Sequence, residues 1–301
     1  MSIIDALNAT FAIPGMASIV AGNGDLPCIH ITNKHASARV YLHGAHITHF
    51  QPNGADPVLW MSASSRFANN APIRGGVPIC WPWFGPNAQD AKLPAHGFAR
   101  TNPWTLSALR AEANGDTTVV LSFQDNEATR SLWPHQFNLT LTLRIGHKLD
   151  MQLTSKNTGK APFTYAEALH TYFTVNDVRT ISIAGLQGVT YLDKVSGLAN
   201  QVASAPITIS GETDRVYQAT TSLCTVHDEH KKRNILIAKQ GSQSTVVWNP
   251  WIAKAAAMAD FGNDEWPSMV CVETANALEH AITLAPGSSH TMQATFGIES
   301  R

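Results

Sequence analysis

The amino-acid sequence predicts an all-β protein, built as a large antiparallel β-sandwich with a few short helices. Apolar and polar residues alternate in most of its extended segments, as in strands with one buried face. Turn-forming pairs such as Asn53-Gly54 and Pro286-Gly287 recur between these segments, whereas helical patterns are short and few. With 301 residues, the chain is long enough for one large domain, and we expect a single domain over residues 1–301.

The strands are predicted from this alternation. The clearest is 136–146, where apolar residues from Phe137 to Ile145 share one face and polar residues occupy the other. It is expected to pair with 148–157 across a Gly146-His147 turn. The other predicted strands are 28–33, 37–42, 117–124, 244–248 and 291–298, and a strand-like run extends from Phe163 to Val175.

Two segments are predicted to be helical. In 125–133, Asp125 is placed to cap the N-terminus, and Pro134 ends the pattern. The alanine-rich segment 251–262 is expected to stop at Gly262.

Composition excludes several classes of partner. The 21 basic and 22 acidic residues give a formal charge of −1, so there is no basic field to hold nucleic acid or an anionic membrane. The N-terminus lacks the features of a signal peptide, and no apolar run is long enough to span a bilayer. The four cysteines show no CxxC spacing, which fits reduced thiols, so we expect a cytoplasmic protein.

The segments 74–85 (RGGVPICWPWFG) and 95–100 (AHGFAR) indicate a binding site for a small anionic ring compound. Arg74 and Arg100 are suited to bidentate hydrogen bonds with a phosphate, although they also fit two solvated loop arginines. Glycines around them favour a binding loop because a backbone without Cβ approaches a ligand closely and points its N–H groups at it. Aromatic rings suited to a sugar face are those of Trp81, Trp83, Phe84 and Phe98.

Four further polar residues are candidates for the site, and three of them have a plainer alternative. His170 fits either a functional group or a hydrogen-bonded core histidine. Glu273 follows an apolar run, so it is either a partly buried base or a strand-end residue facing water. Asp214 fits a substrate contact, but local sequence favours a pair with Arg215 or a turn cap. His96 is placed to hydrogen-bond a hydroxyl.

The closely spaced His43, His46 and His49 suggest metal ligands, but we predict no metal site. On a strand, His46 would face away from the other two, and no carboxylate lies beside them. No GxxxxGK[ST], GxGxxG or GxSxG element is present, so phosphoryl transfer, dinucleotide binding and serine hydrolysis lack their signatures.

Eight separated motifs together resemble the aldose 1-epimerase superfamily, and most closely its hexose-6-phosphate mutarotase branch. They are RGGVPICWPWFG, LPAHGFAR, WPHQF, ALHTYF, YLDK, TDRVY, VWNPW and CVETAN, in that order within about 37–296. The resemblance implies a galactose mutarotase-like β-sandwich that interconverts the α and β anomers of hexose 6-phosphates without a cofactor. It also implies a function for each candidate: His170 as acid, Glu273 as base, His96 and Asp214 on the sugar, Arg74 and Arg100 on the phosphate.

Two departures bear on the substrate. Around the catalytic histidine, galactose-type members resemble NHxYFN, whereas this chain has ALHTYF, which argues against free galactose. Some phosphosugar members carry glutamine where this chain has Ala95, so one substrate contact is absent from the expected set.

In the expected reaction, carboxylate Glu273 takes the proton of the sugar O1 while imidazolium His170 protonates the ring oxygen, and both groups are charged near neutral pH. Three alternatives stay open: a catalytically silent sugar-binding domain, a mutarotase of unphosphorylated aldoses, and a glycoside hydrolase using Asp214 with Glu273. We expect a monomer that acts on a small-molecule hexose 6-phosphate.

Overall fold

Strands dominate the computed structural model, which describes residues 2–301. The helices are α1 (Ile3–Phe11), α2 (Glu127–Leu132) and α3 (Trp251–Ala257), with short 3-10 turns at Asn23–Asp25, Ala99–Thr101, Trp266–Ser268 and Leu278–His280. The strands are β1 (Ala17–Ala21), β2 (Pro27–Thr32), β3 (Ala36–Tyr41), β4 (His46–Pro52), β5 (Ile79–Cys80), β6 (Thr105–Ala111), β7 (Thr117–Gln124), β8 (Phe137–Ile145), β9 (Leu149–Asn157), β10 (Phe163–Tyr165), β11 (Glu167–Leu169), β12 (Tyr172–Thr174), β13 (Ser182–Ala184), β14 (Thr190–Asp193), β15 (Leu198–Val202), β16 (Thr213–Tyr217), β17 (Cys224–Asp228), β18 (Arg233–Gln240), β19 (Ser244–Asn249), β20 (Met269–Asn276), β21 (Ile282–Leu284) and β22 (Ser289–Ser300). The all-β prediction is confirmed.

Two eight-stranded antiparallel sheets make up most of the molecule. The first has the order β13-β17-β18-β22-β9-β8-β7-β6. The second, called the site sheet below, has the order β15-β14-β16-β19-β20-β11-β5, with β12 also paired to β20. A four-stranded sheet (β1-β2-β3-β4) and a two-stranded sheet (β10-β21) complete the fold. The predicted domain, 1–301, stays a prediction, which a buried apolar cluster extending from Ala17 to Phe296 supports.

The strands with the clearest alternation lie where the sequence places them. β8 and β9 pair from Phe137 opposite Asn157 to Ile145 opposite Leu149, which is the predicted hairpin. The Gly146 N–H donates to the Lys148 carbonyl at 3.0 Å and closes the turn. The odd-numbered residues of β8 are buried, since this face packs in the core, and the even-numbered ones are at least partly exposed.

Both predicted helices are shorter than expected. The cap of α2 is Asn126, whose side chain accepts from the Thr129 N–H at 3.0 Å. Asp125 accepts instead from the Phe137 N–H, so its carboxylate is not available as the cap. Helix α3 ends at Ala257 rather than near Gly262, because Met258 is already extended and the next residues turn to bury Phe261 against Trp60.

Helix α1 was not predicted. Its N-terminus is a capping box in which Ser2 and Asp5 bond to each other's backbone N–H. Asn8 attaches the helix to β1 by hydrogen bonds with both backbone groups of Ile19. None of the helices within residues 2–301 is long and apolar enough to cross a membrane.

The strand-like run from Phe163 to Val175 is not continuous, which corrects the prediction. It divides into β10, β11 and β12, and the chain leaves the ladder at His170 and Thr171. There the His170 N–H donates to the Pro78 carbonyl and the Thr171 N–H bends back to the Leu169 carbonyl. The interruption frees His170 from regular pairing at the point where the candidate site lies.

Candidate active site

The register of the site sheet places His170 opposite Glu273. Leu169 pairs with Thr274 and Tyr172 with Cys271, so both sides of the interruption share one register, in which 170 faces 273. Side chains opposite each other on one face of an antiparallel pair lie close together. The tertiary pairing therefore joins two residues that are about a hundred positions apart in the chain.

The two side chains are buried and close. His170 Nε2 lies 3.4 Å from Glu273 Oε1, and the side chains are 8% and 1% exposed. His170 Nδ1 and Glu273 Oε2 are also buried, and neither has a hydrogen-bond partner within residues 2–301. Glu273 is thus not a strand-end residue facing water, and His170 is not a fully hydrogen-bonded core histidine. Unsatisfied buried polar atoms are rare, and here they border an open cleft.

Burial shifts the pKa values of this pair in opposite directions. It raises the pKa of Glu273 well above its ordinary value; the nearby Asp214 charge adds to the rise, and Lys194 and Arg100 oppose it. It lowers the pKa of His170 well below its ordinary value, and His96 and the two arginines add to that effect. Both shifts favour the uncharged form of each group, whereas the expected reaction starts from their charged forms.

Asp214 and His96 flank the pair. Asp214 lies on β16, and its carboxylate pairs with Lys194 Nζ at 3.2 Å. The predicted pair with Arg215 is wrong because neighbouring strand residues point to opposite faces, and Arg215 lies near Asp193 instead. The rings of His96 and His170 are 5.7 Å apart. Since His96 Nδ1 accepts from the Gly85 N–H, the neutral ring carries its proton on Nε2 as a donor.

The two arginines are not solvated loop residues. Arg74 donates to the Tyr172 hydroxyl and to Asp260, both at 3.0 Å. Burial by itself lowers the pKa of Arg74, but these two partners outweigh burial and raise it. Arg100 is 9% exposed and donates to the Ala95 carbonyl at 2.8 Å. No carboxylate within residues 2–301 forms an ion pair with Arg100.

All six predicted residues line one cleft of about 360 Å³, a size typical of small-molecule sites. Its walls carry four basic side chains in a chain whose net charge is −1, so the cleft is locally basic. The lining residues are Arg74, Phe84, Gly85, Pro86, Ala95, His96, Arg100, His170, Lys194, Asp214, Val246, Trp248, Lys254, Met258 and Glu273.

Comparison with known proteins identifies the family. The family model described as aldose 1-epimerase matches residues 27–297. The chain belongs to the aldose 1-epimerase family. A relative from Escherichia coli K12, provisionally named glucose-6-phosphate 1-epimerase, is 40% identical over 85% of each chain. One from Salmonella typhimurium with the same provisional name is 37% identical over 90% of this chain and 92% of its own.

A solved structure agrees with this membership. The crystal structure of a protein from Salmonella typhimurium, provisionally named a mutarotase, superposes with a TM-score of 0.90 at 31% identity and covers 100% of both chains. The predictions of a mutarotase-type β-sandwich and of an epimerase are confirmed.

Several lining residues of this family member were not predicted. Lys194 follows β14, pairs with Asp214, and lies 5.6 Å from the centre of the Phe84 ring. Lys254 of α3 pairs with Glu212 at 2.8 Å. Trp248 of β19 has its ring 5.9 Å from that of His170. Two motifs of the family resemblance, YLDK and VWNPW, contain Lys194 and Trp248, so the sequence could have indicated these two residues.

Two of the glycines near the arginines, which the sequence predicted to let backbone approach a ligand, lie against protein backbone. A Cβ on Gly76 would lie 2.2 Å from the Ile47 carbonyl oxygen, and one on Gly97 would lie 2.0 Å from that of Trp81. Both have positive φ, so other residues would be strained there as well. Their function is to let protein backbones pack against one another and hold the arginine-bearing loops in place.

Most of the expected sugar-stacking rings lie in the core. Trp81 and Phe98 are at most 1% exposed, and Trp81 packs against Phe98, Trp133 and Phe137. Trp83 donates its indole N–H to the Pro94 carbonyl and is not among the cleft residues. Of the four predicted rings, Phe84 alone lines the cleft, where Trp248 joins it.

The three closely spaced histidines have separate partners. His43 contacts the Ala71 carbonyl, His46 the Gly75 carbonyl and His49 the Ser37 hydroxyl. β4 begins only at His46, so the assumption that all three share a strand was wrong. Burial lowers the pKa of His46 to about 3, which keeps it neutral.

A larger cleft of about 710 Å³ lies beside the four-stranded sheet. Its lining includes Arg39, Tyr41 and His49, but no carboxylate from the described part of the chain. Its volume favours this cleft as the binding site, whereas the paired acid and base favour the smaller cleft. Because chemistry depends on placed groups rather than volume, the smaller cleft is the candidate active site.

Proposed function

We propose that the protein interconverts the α and β anomers of hexose 6-phosphates, with glucose 6-phosphate as the substrate to test first. The observation that carries this proposal is the close, buried pair of His170 and Glu273 at the base of a basic cleft. A pyranose must lose the O1 proton and gain one on the ring oxygen to open, so it needs a base and an acid held together. The relatives provisionally named glucose-6-phosphate 1-epimerases support the same substrate.

In this reaction the pair shares one proton throughout. At the start, His170 is an imidazolium and Glu273 a carboxylate. Ring opening moves the O1 proton to Glu273 and the imidazolium proton to the ring oxygen, which leaves a neutral imidazole and a protonated carboxyl. Rotation about C1–C2 presents the other carbonyl face, and reversal of both transfers closes the ring. The neutral arrangement favoured by burial is therefore the one that the open-chain intermediate requires.

Phosphate binding assists the reactive arrangement. The charges of Arg100 and Arg74 both lower the pKa of His170, but only Arg100 acts in the same sense on Glu273. A bound phosphate dianion offsets these positive charges, so it favours the imidazolium more than it disfavours the carboxylate. A bound phosphosugar therefore favours the protonated form of His170, the catalytic acid of the proposed reaction.

The phosphate assignment rests on Arg100 and Arg74. Arg100 is a buried cation with no acidic partner in the described part of the chain, and burial lowers its pKa. A buried charge without a counter-charge is costly, so the site is built to receive an anion. Arg100 donates to the backbone carbonyl of Ala95. This hydrogen bond does not depend on the side chain at position 95, where some family members carry glutamine.

His96 and Asp214 complete the sugar contacts. The Nε2 donor of His96 and the carboxylate of Asp214 suit hydroxyl groups on the ring. The faces of Phe84 and Trp248 suit its apolar C–H surface. All the proposed groups come from one chain, which supports a monomer as the working unit. Four free, buried cysteines, all within the described residues, support a reducing, cytoplasmic setting.

The test is NMR exchange spectroscopy on equilibrated glucose 6-phosphate with catalytic amounts of protein, beside glucose and galactose. We expect exchange cross-peaks between the anomeric protons of the phosphosugar, and much weaker ones for the free sugars. Equal exchange with glucose would retain the acid–base pair and reject the phosphate assignment. Sugar binding without exchange, in folded protein, would reject catalysis in favour of a silent binding domain.

A further inference from the structure

Beside the acid–base pair lies a thiol that the proposed reaction does not use. Cys271 precedes Glu273 by two residues on β20, so both side chains point to the same face of the site sheet. One ligand atom each from His170, Cys271 and Glu273 lie within 4.8 Å of one another, and all three residues are buried. Imidazole, thiolate and carboxylate are the three side-chain ligands of zinc.

The spacing fits one ion. With zinc–nitrogen and zinc–oxygen bonds of about 2.0–2.1 Å and a zinc–sulfur bond of about 2.3 Å, tetrahedral ligands lie about 3.4–3.6 Å apart. His170 Nε2 and Glu273 Oε1 are already 3.4 Å apart. One ligand atom from each of the three residues lies within 4.8 Å of the other two, so about 1 Å of side-chain adjustment completes the set.

The electrostatics allow binding but limit its strength. Zinc binding removes the proton of the Cys271 thiol and the one shared by His170 and Glu273, so two protons leave and the ion's charge is balanced. Because a thiol must lose its proton to bind zinc, thiol deprotonation opposes binding at low pH. His170 Nδ1 lacks the acceptor that usually orients a ligating histidine. Arg74, Arg100 and Lys194 are nearby cations that further weaken binding.

We propose that His170, Cys271 and Glu273 form a reversible inhibitory site for a thiophilic divalent cation such as Zn²⁺. The bound ion occupies His170 Nε2 and a Glu273 oxygen, which belong to the two residues assigned to proton transfer, so it excludes catalysis. Mg²⁺ does not bind in this way, because it prefers six oxygen ligands. Metal binding does not depend on the proposed reaction, whereas the inhibition does.

Co²⁺ is the direct probe, because cobalt bound by a thiolate has a near-ultraviolet sulfur-to-metal charge-transfer band. We expect the wild-type protein to develop this band and to lose it when Zn²⁺ displaces cobalt. Cys271→Ala should abolish the band and weaken Zn²⁺ binding at least tenfold. Cys80→Ala is the matched control, since Cys80 is another fully buried thiol of the site sheet, outside the ligand set, and it should leave both signals unchanged. Binding should tighten as pH rises.

Two outcomes overturn the site: cobalt binding without a thiolate band, or equal Zn²⁺ affinity in wild type and Cys271→Ala. Circular dichroism and a melting temperature check that the variant folds, and Cys271→Ser serves if the alanine variant does not.

Anomer exchange then tests inhibition. Cys271→Ala should retain basal turnover and lose Zn²⁺ sensitivity, with Mg²⁺ controlling for metal complexes of the phosphosugar. Zn²⁺ binding in a protein that shows no exchange would refute the proposed function and leave the metal site standing. Exchange that Zn²⁺ inhibits equally in both proteins would refute the site alone.

Discussion

Strand β8 of the first large sheet alternates buried and more exposed residues, whereas β20 of the site sheet is buried at all eight positions. On β8 the polar residues Thr140, Thr142 and Arg144 lie on the partly exposed face. On β20 both faces are covered, so polar residues there must find partners inside the protein or receive them from a ligand. Asn276 finds protein partners in Glu167 and Gly241, but Glu273 Oε2 has none among residues 2–301.

The different burial of β8 and β20 indicates which polar residues of this fold need a functional explanation. A polar residue on an alternating strand is explained by solvent. A carboxyl group on a fully covered strand carries a desolvation cost, which a catalytic use accounts for. Each of the following changes tests that contrast between β8 and the site sheet.

Removing either proton-transfer group should have the largest effect. We expect His170→Asn or Glu273→Gln to lower kcat by roughly 10²–10⁴-fold, because each replaces a proton-transfer group with an amide that cannot exchange a proton near neutral pH. Anomer exchange by NMR measures the loss, and the melting temperature should stay close to that of the wild type. Thr142→Ala on β8 is the control and should keep full turnover. A Glu273→Gln protein with near-normal kcat would remove Glu273 from the mechanism.

Making a cavity in the core beneath β8 should have the opposite effect: it should lower stability and leave turnover unchanged. Leu141 is fully buried, so Leu141→Ala should lower the free energy of unfolding by about 2–5 kcal/mol through the cavity it leaves. Urea denaturation measures this change. At temperatures where the variant is folded, kcat should be unchanged, since Leu141 is not among the residues lining the cleft. A large fall in kcat at constant fold would mean that the two sheets are not functionally separate.

Removing the buried cation Arg100 should weaken substrate binding. Hydrogen bonds to charged groups contribute about 1.5–3 kcal/mol, so Arg100→Ala should raise KM for glucose 6-phosphate roughly 10- to 150-fold. The KM for free glucose should change little, because that sugar presents no anion. Arg39→Ala, at an exposed arginine of the larger cleft, is the control and should alter neither value. An equal rise in KM for both sugars would contradict the phosphate assignment.

The smallest change expected is a displaced pH profile. The Lys194 ammonium lowers the pKa of Glu273, so Lys194→Gln should raise that pKa further. Glu273 must be ionised to accept the O1 proton, so the acidic limb of the pH–kcat profile should move to higher pH. Lys194→Arg keeps the charge and should keep the limb in place. If the limb moves in neither variant, Lys194 does not influence the base; an equal displacement in both would indicate a positional effect.

A strand could be predicted from the sequence when its alternating pattern extends over enough consecutive residues. β7, β8 and β9 match their predicted limits within one residue, because alternation over eight or nine positions is written into consecutive residues. β5 has two residues and β11 and β12 three each, too few for any period. β11 and β12 form because β20 offers hydrogen bonds, and β5 forms by pairing with β11. These short strands are the ones that carry or surround His170.

The candidate site divides in the same way. Residue types and family motifs were enough to nominate six of the residues that line the cleft. They were not enough to assign Trp81 to the core, to pair Asp214 with Lys194, or to find the direction in which burial shifts the pKa values of His170 and Glu273. Each of these depends on which distant segments pack together.

The sequence alone determined the all-β class, the long alternating strands and the kinds of chemical group available, since these depend on neighbouring residues. Only the tertiary structure decided that residue 170 lies opposite residue 273, that Arg100 is buried without a carboxylate partner in the described chain, and that Cys271 lies beside the pair. The physical reason is that proton transfer and anion binding depend on distance and desolvation. Both are set by pairing between strands far apart in the chain.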